Sequence, residues 1–185
     1  MLHHGVSDEE PMIINETILN KLKENFGEKI SNPDLQYGIL SVSVDHEHIM
    51  KVMEFLKSDS ELDFNFLTDL CGVHFPHRDH KFEVVYHLHS FRNNIRLRVK
   101  LPLAGDPPHA PSMIPLWLGA NWMERETYDF YGIIFEGHPN LKRILNVDEM
   151  TIFPMRKEYP LEDNTRKDKN DEMFGRDPKL IRADM

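Results

Sequence analysis

Between residues 14 and 58 the spacing of apolar positions changes twice. Ile14, Ile18, Leu22 and Phe26 recur every fourth residue, which places them on one stripe of a helix. Asn15 or Thr17 stands where it can cap that helix, and Gly27 where it can stop it. Over residues 37–45 the period falls to two. Leu40, Val42 and Val44 alternate with Ser41 and Ser43, the mark of a half-buried strand. Asp45 then stands where it can cap a second helix whose stripe is Ile49, Val52, Met53 and Leu56.

Alternation resumes with Leu62, Phe64 and Phe66, then with Phe82, Val84, Tyr86 and Leu88. It continues with Ile95, Leu97, Val99 and Leu101, set against Arg96, Arg98 and Lys100. The linker Arg92, Asn93, Asn94 between the last two runs predicts an antiparallel hairpin. The first hundred residues thus predict α-β-α-β-β-β, an α+β fold with a mixed or antiparallel sheet and helices on one face.

Beyond it, Pro102, Pro107, Pro108, Pro111 and Pro115 predict an extended connector. Ser112 is placed to cap a short helix through Leu118, and a further helix is expected over residues 121–131, stopped by Gly132. After it we expect an extended C-terminal arm. The division we expect is a flexible leader (1–13), an α+β core (14–135), an extended docking segment (136–161) and a charged tail (162–185). That tail holds seven acidic and six basic residues, too little apolar content to fold alone, so we expect it to be disordered or to lie on a partner.

Composition narrows the function by exclusion. A formal net charge of -9 argues against nucleic acid or anionic lipid as the main partner. Cys71 is the single cysteine, so no disulfide forms within the chain, and a Cys-ligated iron–sulfur cluster, which takes about four thiolates, has no place here. No apolar run approaches the ~20 residues of a membrane span. The acidic start resembles neither a signal nor a transit peptide, which predicts a protein that stays on the cytoplasmic side. There is no G-x-G-x-x-G, no G-x-x-x-x-G-K-[ST] and no G-x-S-x-G, so nucleotide binding and acyl transfer lack their usual scaffolds. Cys71, His74, His77 and His80 fall at intervals of three. Imidazoles so spaced would suit a metal hydrolase if they converged. Gly72 and Pro76 exclude one continuous helix, and we read the segment as an exposed loop between strands.

Residues 120–145 pack charges beside aromatics. On a helix Glu124, Arg125 and Glu126 sweep more than half the circumference. Arg125 and Asp129 are placed for a local i,i+4 pair. Glu126 falls four residues after Trp122 and four before Phe130, on the aromatic stripe, where an unpaired charge is costly. Arg143 and Arg156 are its candidate partners in the chain, and a second polypeptide another. Trp, Tyr, Phe, Met and Arg together are what protein interfaces favour. Further on, Pro154 and Pro160 bracket Arg156, Lys157 and Glu158, with Phe153 and Tyr159 beside them, a pre-extended strap with a charged centre.

These residues carry a resemblance. The run Glu124-Arg125-Glu126, Asp129-Phe130-Tyr131, His138, Lys142-Arg143 and Ile144-Leu145 resembles the signature of the NuoC family, a peripheral-arm component of respiratory complex I, the NADH-quinone oxidoreductase. The stretches 82–102, 120–122 and 156–161 also look like that family, and the likeness spans about residues 37–162. One departure stands out: Ile152, Phe153 and Pro154 stand where the family usually has Gly-His-Pro. The resemblance implies a core subunit without cofactors, with no catalytic, cofactor-binding or metal residues of its own. It implies that FMN, Fe–S clusters, NADH and quinone reside on other subunits. It implies docking on the subunits of the terminal cluster (B) and the quinone site (D), and a place on the cytoplasmic side of a bacterial inner membrane through them. Glu124, Arg125, Glu126, Asp129, Phe130, Tyr131, His138, Lys142, Arg143, Arg156 and Lys157 become the candidate interface. The equivalent subunit of a related hydrogenase, ferredoxin or F420 dehydrogenase complex is the alternative within the superfamily.

Overall fold

A computed structural model describes residues 14–159. The stripe at Ile18 and Leu22 folds as α1 (Asn15–Phe26), ended by Gly27 at φ 57°, a conformation glycine adopts at no steric cost. Neither candidate cap acts as one: Ile14 is the cap residue, and the Asn15 amide instead donates to the Gly38 carbonyl. After a 3₁₀ turn comes β1 (Ile30–Gln36), a strand that the apolar pattern does not announce. It carries Pro33 and a register shift between Ser31 and Asp34, and all of it but Ile30 is exposed. Edge strands tolerate both features because one side of the backbone needs no partner.

β2 (Ile39–Val44) follows the predicted alternation. α2 (Ile49–Ser58) buries Ile49, Val52, Met53 and Leu56, but it starts after Asp45, which offers its backbone carbonyl to His48 and Ile49 rather than a side-chain cap. The next strand is displaced from its expected place. β3 is Phe66–His74, because Asp63 sits at φ 45° and breaks the extended run. Leu62 and Phe64 plug the core just ahead of it, while Phe66 is largely exposed. Cys71 and His74 accordingly lie in a strand and not in an exposed loop; His77 and His80 occupy the turn that follows. β4 (Phe82–Ser90) and β5 (Ile95–Leu103) form the expected antiparallel hairpin.

The sheet order is β1-β2-β5-β4-β3, mixed because β2 runs parallel to β5. Leu40, Val42, Val84, Tyr86, Leu88, Leu97, Val99 and Leu101 share one core with the buried residues of α1, α2 and α3 (Ala120–Tyr131). The helices therefore cover a single face, as the alternation predicts. The other face carries Arg96, Arg98, Lys100, His87 and Asp69, with the Arg98 Nε donating to the His87 ring at 2.9 Å. The proline-rich connector is not wholly irregular: β6 (His109–Pro111) pairs in parallel with β7 (Ile134–Glu136). Residues 112–119 form turns instead of the expected short helix. The leader, the tail and the last two residues of the expected docking segment lie outside the described residues.

Candidate functional site

The site is built on α3 and the chain that returns over it. α3 lies against β3 at Gly72, where a Cβ would stand 2.7 Å from the Tyr131 ring and 3.0 Å from the Thr127 methyl. That contact rolls the helix so that Glu124, Thr127 and Asp129 face inward. Trp122 is 62 % exposed and Glu126 faces solvent. The expected position of Glu126 on a buried stripe is therefore overturned. The buried carboxylates are Glu124 and Asp129, and Glu126 has no hydrogen-bond or ion-pair partner among the described residues.

Asp129 organises the returning loop. One carboxylate oxygen accepts the backbone N–H groups of Ile144, Leu145 and Asn146 at 2.8–3.1 Å. The other receives the Arg143 guanidinium at 2.7 Å and the Asn146 amide at 3.1 Å. Burial by itself would raise the Asp129 pKa, but the Asn146 N–H, the Arg143 cation and the Leu145 and Ile144 N–H groups outweigh it and hold the group well below the usual carboxylate range. Arg143 continues outward, donating to the carbonyls of Met150 and Ile152. Asp129 thus pairs with Arg143, not with Arg125 as the i,i+4 spacing suggested. Arg125 stacks over Trp122 at 5.2 Å and donates to the carbonyls of Lys142 and Arg143.

Glu124 is different in kind. It is 0 % exposed, accepts from the Ser112 hydroxyl at 2.7 Å and the Met113 N–H at 2.6 Å, and faces no cation. Burial pushes its pKa up to about 7, against those two donors. It ties α3 to the turns that follow β6, which Lys57 also holds through the Leu116 carbonyl.

Arg156 is the anchor of the strap, residues 152–159. Its guanidinium lies between the rings of Phe82 and Phe153, 4.8 and 4.9 Å from their centroids. It donates to the Tyr131 carbonyl at 2.7 Å and pairs with Asp106 at 3.2 Å. Phe153 also receives Arg143 at 5.0 Å and fills the space over Gly132, where a Cβ would stand 2.5 Å from the ring. The aromatic at the departure from the family signature therefore serves as a packing centre. Met155 N–H donates to the Phe130 carbonyl, and Lys157 N–H donates to His74 Nδ1 at 2.9 Å. His138 rests on the Asn121 carbonyl at 3.2 Å, while the Lys142 and Lys157 side chains face solvent.

The candidate residues thus do gather: Arg125, Asp129, Arg143 and Arg156 find partners within the chain, whereas the Glu126, Lys142 and Lys157 side chains face solvent. Beside them large apolar groups are also left exposed: Leu118 and Trp122 on one flank, then Leu145, Val147, Ile152, Met155 and Tyr159 along the loop and strap. Sequence reasoning missed Ser112 as the partner of Glu124, Asp106 as that of Arg156, and His74 as the strap's acceptor. Each lies tens of residues from its partner or in another element, with no local spacing to reveal it. Among the described residues no three His, Cys, Asp or Glu side chains converge as a metal site, and no helix is long and apolar enough to cross a membrane.

Comparison with known proteins agrees with this architecture. Residues 42–165 match the family model for the respiratory-chain NADH dehydrogenase 30 kDa subunit. A protein of Rhizobium meliloti (strain 1021), the NADH-quinone oxidoreductase C-subunit 2, is 46 % identical over 138 residues, 74 % of this chain and 75 % of that one. The NADH-quinone oxidoreductase C-subunit of Roseiflexus sp. (strain RS-1) is 46 % identical over 147 residues, 80 % of this chain and 84 % of that one. Among solved structures, the trypsin-resistant fragment (1-134) of Nqo5 superposes with a TM-score of 0.60 at 32 % identity, covering 67 % of this chain and 98 % of the fragment. A chain of an archaeal membrane-bound sulfane sulfur reductase shares the fold, with a TM-score of 0.68 at 23 % identity over 79 % of this chain and 85 % of that one.

Proposed function

The chain belongs to the family of the respiratory-chain NADH dehydrogenase 30 kDa subunit, and from that premise we propose that it is the peripheral-arm C-subunit of an NADH-quinone oxidoreductase. It works as a part of that enzyme and supplies no catalytic centre of its own. Its partners are other subunits of the complex, and we assign the docking face to α3, the 143–150 loop and the strap. The partners that this face meets are the subunits of the terminal Fe–S cluster and of the quinone site, B and D. NADH, FMN, the clusters and quinone are held by other subunits, and the chain reaches the cytoplasmic face of the inner membrane through its neighbours.

One observation carries the assignment of the face. Ion pairs and carbonyl contacts lock the loop and strap in place, yet the side chains they display are Trp122, Leu145, Val147, Ile152 and Met155, well exposed. A patch of large apolar groups on a rigid frame is the signature of an interface, since leaving it in water is unfavourable and its ordering cost is already met. Arg125 over Trp122 adds the aromatic–arginine pair typical of energetic centres in interfaces. The experiment is co-purification from membranes with mass spectrometry of the partners. Trp122→Glu combined with Leu145→Glu is expected to release the other subunits while leaving the thermal stability of the lone chain within about 0.5 kcal/mol, as surface changes do. Full retention of the partners by this variant would refute the assigned face.

A further inference from the structure

We propose that His74 is a proton-controlled latch on the strap: neutral, it accepts the Lys157 N–H and holds the strap backbone to the sheet; protonated, it gives up that N–H for the Glu158 carboxylate and the strap backbone is re-aimed. The inference rests on the strap being part of the docking face and adds how that face is regulated.

The geometry offers His74 two incompatible arrangements at one atom. Its Nδ1 lies 2.9 Å from the Lys157 backbone nitrogen and 3.4 Å from a Glu158 carboxylate oxygen. A backbone N–H only donates, so Nδ1 must carry a lone pair to accept it. A carboxylate only accepts, so contact with Glu158 needs a proton on Nδ1. One proton therefore exchanges one partner for the other. The two partners are adjacent residues of the strap, so switching between them re-aims its backbone.

The surroundings hold the ring where this choice matters. His74 ends β3, is 6 % exposed and stacks on Phe82 with ring centroids 4.6 Å apart and planes at 16°. The charges around it are mixed. Arg156 on the strap and Lys81 before β4 oppose a proton; Glu158 on the strap and Asp106 beyond β5 favour one. Burial is the largest influence and, with Arg156 and Lys81, moves the imidazole pKa below 6.5, so the latch is closed at neutral pH and opens on acidification. The displayed groups that move with the strap are Met155 and Tyr159, both part of the proposed docking face.

The test follows amide exchange of Lys157 in the full chain at pH 7.5 and pH 5, as protection factors. In the wild type we expect protection to fall about tenfold at pH 5, the scale of one lost hydrogen bond. His74→Asn keeps an acceptor that does not titrate, so its protection should be equal at both values. Glu158→Gln lies on the surface and leaves the fold intact; its amide oxygen still accepts a hydrogen bond, but the charge that favours a proton on the ring is gone, so the loss of protection in acid should be smaller than in the wild type. Flat protection in the wild type, or the same acid loss in His74→Asn, overturns the latch. The regulatory half is read by retention of partner subunits, expected to drop at pH 5 in the wild type and to persist in His74→Asn. Retention that ignores both pH and His74 overturns the regulation while the docking face stands. If the wild type retains no partner at pH 7.5, the docking face fails and the regulation with it.

Discussion

Asp129 is sealed from water and yet ionised, because three backbone N–H groups, an amide and a guanidinium converge on it. Removing it would leave the Arg143 cation, itself nearly buried, without its counter-charge. Asp129→Ala should therefore cost about 3–5 kcal/mol, read as unfolding free energy in denaturant. Glu126→Ala, three residues away but solvent-facing, should stay within about 0.5 kcal/mol in the same assay. Equal losses from the two would contradict the burial difference on which the site is built. Glu124 carries a prediction about pH. Its pKa, raised from 4.5 to about 7, means that the folded chain holds a proton the unfolded chain has already released. Its stabilisation is full below pH 4.5 and is lost as pH rises through 7. Glu124→Gln accepts the Met113 N–H through its oxygen and can donate its NH2 to Ser112 Oγ, without the charge. Between pH 4.5 and 7.5 the balance should move toward the variant by up to about 3 kcal/mol, since a tenfold change in proton affinity is worth ~1.4 kcal/mol. A pH-independent difference between the two proteins would show that Glu124 does not titrate in this range.

Elements meet here through backbone as much as through side chains. α3 approaches β3 closely enough that only glycine fits at position 72. Gly72→Ala must push against the Tyr131 ring, Thr127 and Ile133, and overpacking of this kind costs about 1–3 kcal/mol. The same push would move α3, and with it Asp129 and the carbonyl of Tyr131 that holds Arg156. A thermal melt should show the loss, and amide exchange at Leu145 and Met155 should rise with it. Unchanged exchange there would mean that the loop and strap do not depend on the seating of the helix. β1 illustrates the converse. Its residues have no apolar period, and it exists because β2 offers it a free edge, with the irregularity at Ser31–Asp34 absorbing Pro33.

Taken as a whole, the molecule has one face of the sheet buried under helices and a strapped helix beside the β3 edge. The charge-dense run is the internal framework of that strapped region, and the apolar fringe it supports is the docking face we propose. The framework is held by salt bridges with buried members, such as Arg143–Asp129 at 2.7 Å. Added salt should therefore leave the stability of the lone chain nearly unchanged, because buried pairs are screened little. A melting temperature that falls steeply between low and high ionic strength would indicate that these pairs are open to solvent.

Repeating apolar periods determined the two N-terminal helices and three of the strands, because each buries one face of a regular element and regular burial leaves a regular trace; the hairpin was legible from its Arg92–Asn94 linker and α3 from its stop at Gly132. The family was legible for the same region, since its motif is local. Which carboxylate is buried was not legible: a helix stripe gives relative angles, and only the seating of α3 on Gly72 sets their origin, turning Asp129 inward and Glu126 out. The partners of Asp129, Arg156 and His74 come from distant segments, and β1 and β6 take their structure from neighbours rather than from their own residues. Those features belong to tertiary structure because the free energy that fixes them is shared between segments that no stretch of sequence contains together.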